Sequence, residues 1–310
     1  MSIISIKKCF IALALLVLMG STAHATTLWV NCGVVKGLAS INAALKALQV
    51  LDSRGPATIN VSGACHENVV IQGIDRLTLT AVNGASVSDA SGGTLDVISI
   101  LDSRDVAING FRVTASPGPA GTNGVSCGDF STCRLSGNII QGAAGGGFAV
   151  FGGSQATLNG DTLQNNSGAG LLIRSAGTVR GGPFTASGNG QGVNIGRQAF
   201  AYVIAAIGNN ADQGVVVQEH STFDLTGSIS GNGSVGAQVR EGSVARFTTA
   251  TIIGNAGAGV LVHDLSMVTF SGDTVTGNGG GTDVVCAPQF AATRGTTTDI
   301  NGGTTNCIEP

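Results

Sequence analysis

Residues 192–213 read GVNIGRQAFAYVIAAIGNNADQ, and residues 214–235 follow directly as GVVVQEHSTFDLTGSISGNGSV. Laid one above the other, the two lines agree in type. Counting the leading glycine as zero, apolar pairs fall at +1/+3 and +9/+11: Val193/Ile195 with Ala201/Val203, then Val215/Val217 with Phe223/Leu225. A spacing of two places both members of a pair on one face of a strand. Two short strands cannot bury such a face alone. Successive units stacked in register can, and each backbone then pairs with the unit above and below. The two lines therefore predict an all-β parallel solenoid, a β-helix.

The unit recurs in both directions. Its starts are Gly147, Gly170, Gly192, Gly214, Gly236, Gly259 and Gly281, always 22 or 23 residues apart. The same pairs are Phe148/Val150 with Ala156/Leu158, Ala237/Val239 with Ala245/Phe247, and Val260/Val262 with Val268/Phe270. Earlier in the chain the template continues with longer turns, as Val125/Cys127 with Cys133/Leu135, Ile98/Ile100 with Val106/Ile108, and Val69/Ile71 with Leu77/Leu79, so about ten coils are expected. A third apolar site near +16 (Val113, Ile140, Leu163, Ile252, Val275) supplies a third wall. In the coil at Gly170, position +11 is Gly181 and Pro183 follows, so an irregular second strand is expected there. Asn166, Asn189, Asn210, Asn232, Asn255 and Asn278 form a further column at the turn after the third wall. Asparagine accepts left-handed backbone and its amides can stack as a ladder, so the column is read as structural.

Ahead of the first coil, Ile41, Ala44, Leu45, Leu48 and Leu51 fall on one helical face, with Ser40 as N-cap and Gly55-Pro56 as the stop. An open solenoid end exposes core and strand edges, and a helix laid across it closes both. At the start of the chain Lys7 and Lys8 precede an apolar run from Cys9 to Met19, and Ala23-His24-Ala25 supplies a small-x-small site. This reads as a secretory signal cleaved near Ala25, which gives an extracellular or periplasmic protein with no membrane insertion of the mature chain. The expected organisation is a signal peptide at 1–25, an N-terminal strand and capping helix at 26–57, and the β-helix at 58–310.

The 49 glycines, 11% charged residues and 4% aromatics suit short strands and tight turns. Without Lys7 and Lys8, 13 basic residues face 18 acidic ones, a formal charge of −5, which argues against nucleic acid as a partner. Six of the seven cysteines follow the signal, an even number in an exported chain. Cys286 and Cys307 are one coil apart, Cys127 and Cys133 occupy +3 and +9 of one coil, and Cys32 and Cys65 flank the helix, which predicts those three disulfides.

The helix ahead of INVSGACHENVVI (Ile59 to Ile71), together with RLTLTA (Arg76 to Ala81) and DVAINGFRV (Asp105 to Val113), resembles the right-handed parallel β-helix proteins of the pectin lyase-like superfamily, in particular secreted bacterial members. The resemblance implies a right-handed helix. It does not imply one activity, because the superfamily holds lyases, hydrolases, epimerases, adhesins and tailspikes. The Asn-Thr-Asp, paired Asp, Gly-His-Gly and Arg-Ile-Lys motifs of polygalacturonase-like members do not occur in the chain, nor does the Arg-x-x-Arg-x-Pro context of pectate lyase-like ones.

The remaining chemistry is positional. The +5 column reads Gly152, Ser175, Arg197, Glu219, Glu241, Asp264 and Cys286, with Gln218, Arg240 and His263 beside it at +4 and His220 next to Glu219. Glu219, Glu241 and Asp264 would stand ~4.8 Å apart at the backbone on neighbouring coils. Stacked acids can hold calcium, or act as the acid and base of a glycosidase pair at about 5 Å. The plainer reading is a solvated turn neutralised by Arg197 and Arg240. His66 and Glu67 are read as ordinary surface residues, and the other outward positions as mostly Gly, Ser, Thr and Ala. Trp29 lies in the N-terminal strand and Tyr202 at an outward +10 position, so no aromatic row for sugar stacking is expected.

The leading expectation is an exported scaffold that associates with polysaccharide or the cell envelope, with Arg197, Arg240 and His263 as binding residues. The alternatives are a polysaccharide lyase or glycoside hydrolase using Glu219, Glu241 and Asp264, and an adhesin or structural surface module.

Overall fold

The computed structural model describes residues 25–34, 37–51, 56–118, 121–287, 292–294 and 300–307. The expected signal segment lies outside the described residues, apart from Ala25.

The chain is a parallel β-helix. Ten strands, from Val69–Gln72 to Val284–Cys286, form one parallel sheet in consecutive coil order. This is the first wall, holding positions +1 to +3. The second wall (+8 to +12) and third wall (+14 to +17) run on into one twenty-stranded sheet, because Thr178–Ser187, Phe200–Gly208 and Thr222–Ser230 pass from one to the other without a break. The register is that of the repeat: Leu171 pairs with Val193, Val193 with Val215, and Val215 with Ala237. The +1, +3, +9 and +11 side chains of the coils from Gly192 to Gly259, and the third-wall residues Val113, Ile140, Leu163, Ile252 and Val275, are buried in one continuous core. Between Gly181 and Phe184 the register of the second strand shifts by one residue, the irregularity expected at Gly181 and Pro183.

The last coil corrects the glycine count. Val260 pairs with Val284 and its N–H bonds to the carbonyl of Asp283, the bond that Gly236 accepts from Val215 one wall position earlier in the stack. The zero position is therefore Asp283 and not Gly281. Cys286 moves from +5 to +3, turned toward the core, where its bond to Cys307 spans a Cα separation of 5.0 Å. The shift arises because a loop of Gly279, Gly280 and Gly281 lengthens the turn, and spacing by glycine alone cannot show that none of them takes the zero position.

The capping helix, α1, runs Ile41–Leu51 and buries Ile41, Ala44, Leu45 and Leu48 against the first coil. Ser40 Oγ accepts the Ala43 N–H at 3.1 Å, as an N-cap should. Glu67 does more than expected of a surface residue. Its two carboxylate oxygens accept the N–H groups of Ile41 at 2.7 Å and Asn42 at 3.0 Å, placing a negative charge at the positive end of the helix. Cys32–Cys65 ties the same region together across a Cα separation of 5.0 Å, and Cys127–Cys133 closes its own coil at 6.4 Å.

Candidate functional site

In the first wall, +1 and +3 point inward, so +2 points out. Yet Ser126, Ala149, Asn194 and Val216, all at +2, are buried. Outward side chains are buried only when something lies over them, and from Asn194 onward polar side chains border this face. Gln191 Nε2 donates to Gln213 Oε1 at 2.9 Å, and Asn194 Nδ2 donates to Gln191 Oε1 at 2.6 Å. Two coils on, Nε and Nη2 of Arg240 both donate to Gln218 Oε1, the former at 3.1 Å. Gln238 Nε2 lies 3.0 Å from His263 Nε2, and His263 Nδ1 lies 2.7 Å from Asp264 Oδ2. The carboxylate can only accept, so Nδ1 carries the proton and the Gln238 amide donates to Nε2. Amides, a guanidinium and an imidazole thus form a polar ladder over the outer face of the first wall. Asn194 Oδ1 is buried in it without a hydrogen-bond partner.

The +5 residues border this ladder. Ser175, Arg197, Glu219, Glu241 and Asp264 all have positive φ between 52° and 58°, and Ala176, Gln198, His220, Gly242 and Leu265 after them do as well. Backbone of this kind in non-glycine residues often marks a functional site. Here it recurs coil after coil whatever the side chain, so it belongs to the turn. The carboxylates reach outward: Glu219, Glu241 and Asp264 keep 41%, 43% and 60% of their side-chain surface exposed. Each finds its own partner: Glu219 the Arg197 guanidinium at 3.7 Å, Glu241 the Arg240 guanidinium at 3.7 Å, and Asp264 the His263 Nδ1–H at 2.7 Å. Exposed pairs of this kind contribute ~1 kcal/mol or less. Among the described residues these three acids do not bring their oxygens within 4.8 Å of one another as a metal-binding group. Cys286 does not belong to the row.

The group that does meet that distance is Cys32, Cys65 and Glu67. Its sulfurs are joined to each other and its carboxylate takes the helix N–H groups, so its ligand atoms are already committed. Asp161, at the turn between the second and third walls, is a buried acid whose carboxyl is pushed above its ordinary value by burial, against the opposing pull of hydrogen bonds from Asn138 and Asn159. Its partners are the turn's own, which makes it a structural acid.

The second wall carries charge that the sequence reading overlooked. Arg134, Thr157, Arg180, Tyr202, Asp224 and Arg246 succeed one another at +10. Arg134 pairs with Asp105 at 2.7 Å, Arg246 with Asp224 at 3.8 Å, and Arg180 lies over the Phe200 ring at 5.2 Å. Period-two alternation exposes +10, and its arginines and aspartate depart from the expectation that outward positions are mostly Gly, Ser, Thr and Ala.

With this geometry in hand, the comparisons are informative about fold. The family model of the right handed beta helix region matches residues 58–189. The Azotobacter vinelandii mannuronan C-5 epimerase AlgE4 A-module is similar with a TM-score of 0.56 at 15% identity, over 91% of this chain and 98% of that one. The AlgE6 A-module from the same organism gives 0.56 at 17%, over 85% and 86%. ORF18 of Geobacillus virus E2 gives 0.54 at 12%, over 88% of this chain and 62% of that one. No curated protein matches the chain. The protein is thus a right-handed parallel β-helix.

Proposed function

We propose that the protein is an exported scaffold that binds polysaccharide, free or in the cell envelope, along the polar ladder of the first wall. The observation that carries this reading is the ladder itself: Gln191, Asn194, Gln213, Gln218, Gln238, Arg240 and His263 offer donors and acceptors at coil steps of ~4.8 Å, and one buried acceptor, Asn194 Oδ1, has no partner in the protein. A hydroxyl-rich chain lying along the solenoid axis would meet these groups and satisfy that atom. Arg197, with Glu219 and Glu241, forms the rim. The names of the similar epimerase modules agree with a glycan ligand at the level of fold. Export agrees with three disulfides and with the absence, among the described residues, of any helix long and apolar enough to cross a membrane.

Co-sedimentation and calorimetry with acidic and neutral polysaccharides, with and without calcium, test the reading. The Gln218→Ala/Arg240→Ala double variant should lose about tenfold in affinity while its Tm stays near wild type. Wild-type protein that binds nothing across the panel would sink the proposal. A catalytic reading rests on the His263–Asp264 contact, which orients an imidazole with its Nε2 toward the ladder. It is supported only if wild type, and not His263→Gln, generates new reducing ends or unsaturated products from a glycan that both bind.

A further inference from the structure

A second recess lies on the same face, before the ladder begins. It is a cavity of about 430 Å³ whose lining includes Asn123, Phe151, Leu172, Arg174, Ser175 and Arg197. That volume falls within the roughly 300–1,000 Å³ of small-molecule sites, enough for a ring or two and too small for a polymer chain. Its charge is unbalanced. Among the described residues no carboxylate lies within ion-pair distance of Arg174, and its buried Nε–H has no acceptor. Arg197 has only the loose, exposed contact with Glu219 at 3.7 Å. Asp96 also lines the cavity, but its carboxylate is already engaged by Asn123, whose backbone N–H reaches it at 2.6 Å and whose Nδ2 reaches it at 3.2 Å. Apart from Ser175, the rest of the lining is glycine or apolar. The Phe151 ring lies against Gly128, where a Cβ would come within 2.4 Å of it, so glycine at that position is what allows the ring to settle over the wall. Leu172 and the buried Ala149 complete the lining.

We infer that this cavity binds a small carboxylate-bearing ring compound, with its carboxylate on the Arg174 guanidinium, Arg197 at the mouth, and its apolar face against Phe151 and Leu172. An arginine with no protein partner in a partly apolar recess gains more from a planar carboxylate than from water, because its fork can donate two parallel hydrogen bonds at reduced dielectric. The aromatic ring favours a flat or apolar-faced ligand. An acidic sugar and an aromatic acid both present this chemistry. The site shares no ladder amide with the polysaccharide reading, and the one residue common to both is Arg197 at the rim.

Calorimetric titration of the full chain with D-glucuronate, benzoate and uncharged D-glucose tests the inference. Binding of either acid but not of glucose is expected, and which acid binds identifies the source. Arg174→Gln should weaken binding about tenfold or more, Arg174→Lys less, and Phe151→Ala should weaken it with the charge intact. Thermal unfolding shows whether each variant is folded, and Arg174→Lys carries the comparison if Arg174→Gln is not. The Gln218→Ala/Arg240→Ala variant should bind the acid as wild type does, which separates failure here from failure of the ladder. Neither acid binding to wild type, or equal binding by folded Arg174→Gln, would overturn the site.

Discussion

Asn210 Oδ1 accepts the backbone N–H of Asn189 at 3.0 Å and its side-chain Nδ2 at 3.1 Å, while its own Nδ2 donates to the Ala186 carbonyl and to Asn232 Oδ1. The same pattern links Asn166 through Asn278 and ends on Asp283, which takes the next place as acceptor. The column was legible from spacing, but its backbone role was misplaced. The left-handed residues are those just before it, Asn165, Gly188, Asn209, Gly231, Gly254 and Gly277, so the bend and the inward amide are divided between neighbours. A second buried ladder went unread. Ser131, Ser154, Ser221, Ser243 and Ser266 accept, through Oγ, a backbone N–H of the preceding coil. The serine column is broken by Gly177 and Ala199, and a serine in a turn looks like an ordinary solvated residue. Asn210→Ala strands two buried donors of Asn189, each worth about 1–3 kcal/mol when unpaired. It should lower the urea midpoint substantially, by about 3 kcal/mol or more at constant m.

At the level of elements, amphipathic spacing located α1 and its cap, because a helix face depends on residues three and four apart. What fastens α1 to the solenoid depends on Glu67, which is 26 residues from the N–H it binds on Ile41, and no local pattern reports a pairing at that distance. The same limit applies to the site. The +5 row was visible as a column, but only the fold shows that its acids splay toward separate partners while Gln191, Asn194 and Gln238 form a ladder over the sheet. Glu67→Ala removes two acceptors and a favourable charge from the helix N-terminus, and should cost about 1–2 kcal/mol. The loss should be local. Amide exchange across Ile41 to Leu48 should speed up well before that of the central coils, and equal acceleration everywhere would mean that α1 is not a separable cap.

Over the whole molecule, each coil packs only on its neighbours, so stability is the sum of repeated interfaces and the weak points are the two ends. The disulfides are placed accordingly: Cys32–Cys65 joins the capping region to the first coil and Cys286–Cys307 fastens the last, and both were readable because a separation of one coil or one cap restricts the choices. The coils from Gly192 to Gly259 carry no disulfide and rely on packing and the buried hydrogen-bond ladders. Val217 is fully buried at +3, between Ile195 on one coil and Val239 on the next. In Val217→Asp, an ionised carboxylate would enter that column with no cation or donor column beside it, because the +1 and +3 positions of the adjoining coils are all aliphatic. Burial of an unpaired charge costs several kcal/mol even after the group takes up a proton to escape it. The variant should therefore be several kcal/mol less stable at neutral pH and should recover part of the loss on mild acidification, since protonation removes the charge but leaves a polar group in the core. Denaturant unfolding at two pH values measures both. A quasi-one-dimensional stack adds a further expectation. Because one disrupted interface divides the solenoid into two shorter ones, the Val217→Asp transition should broaden or separate into two steps, while wild type unfolds in one.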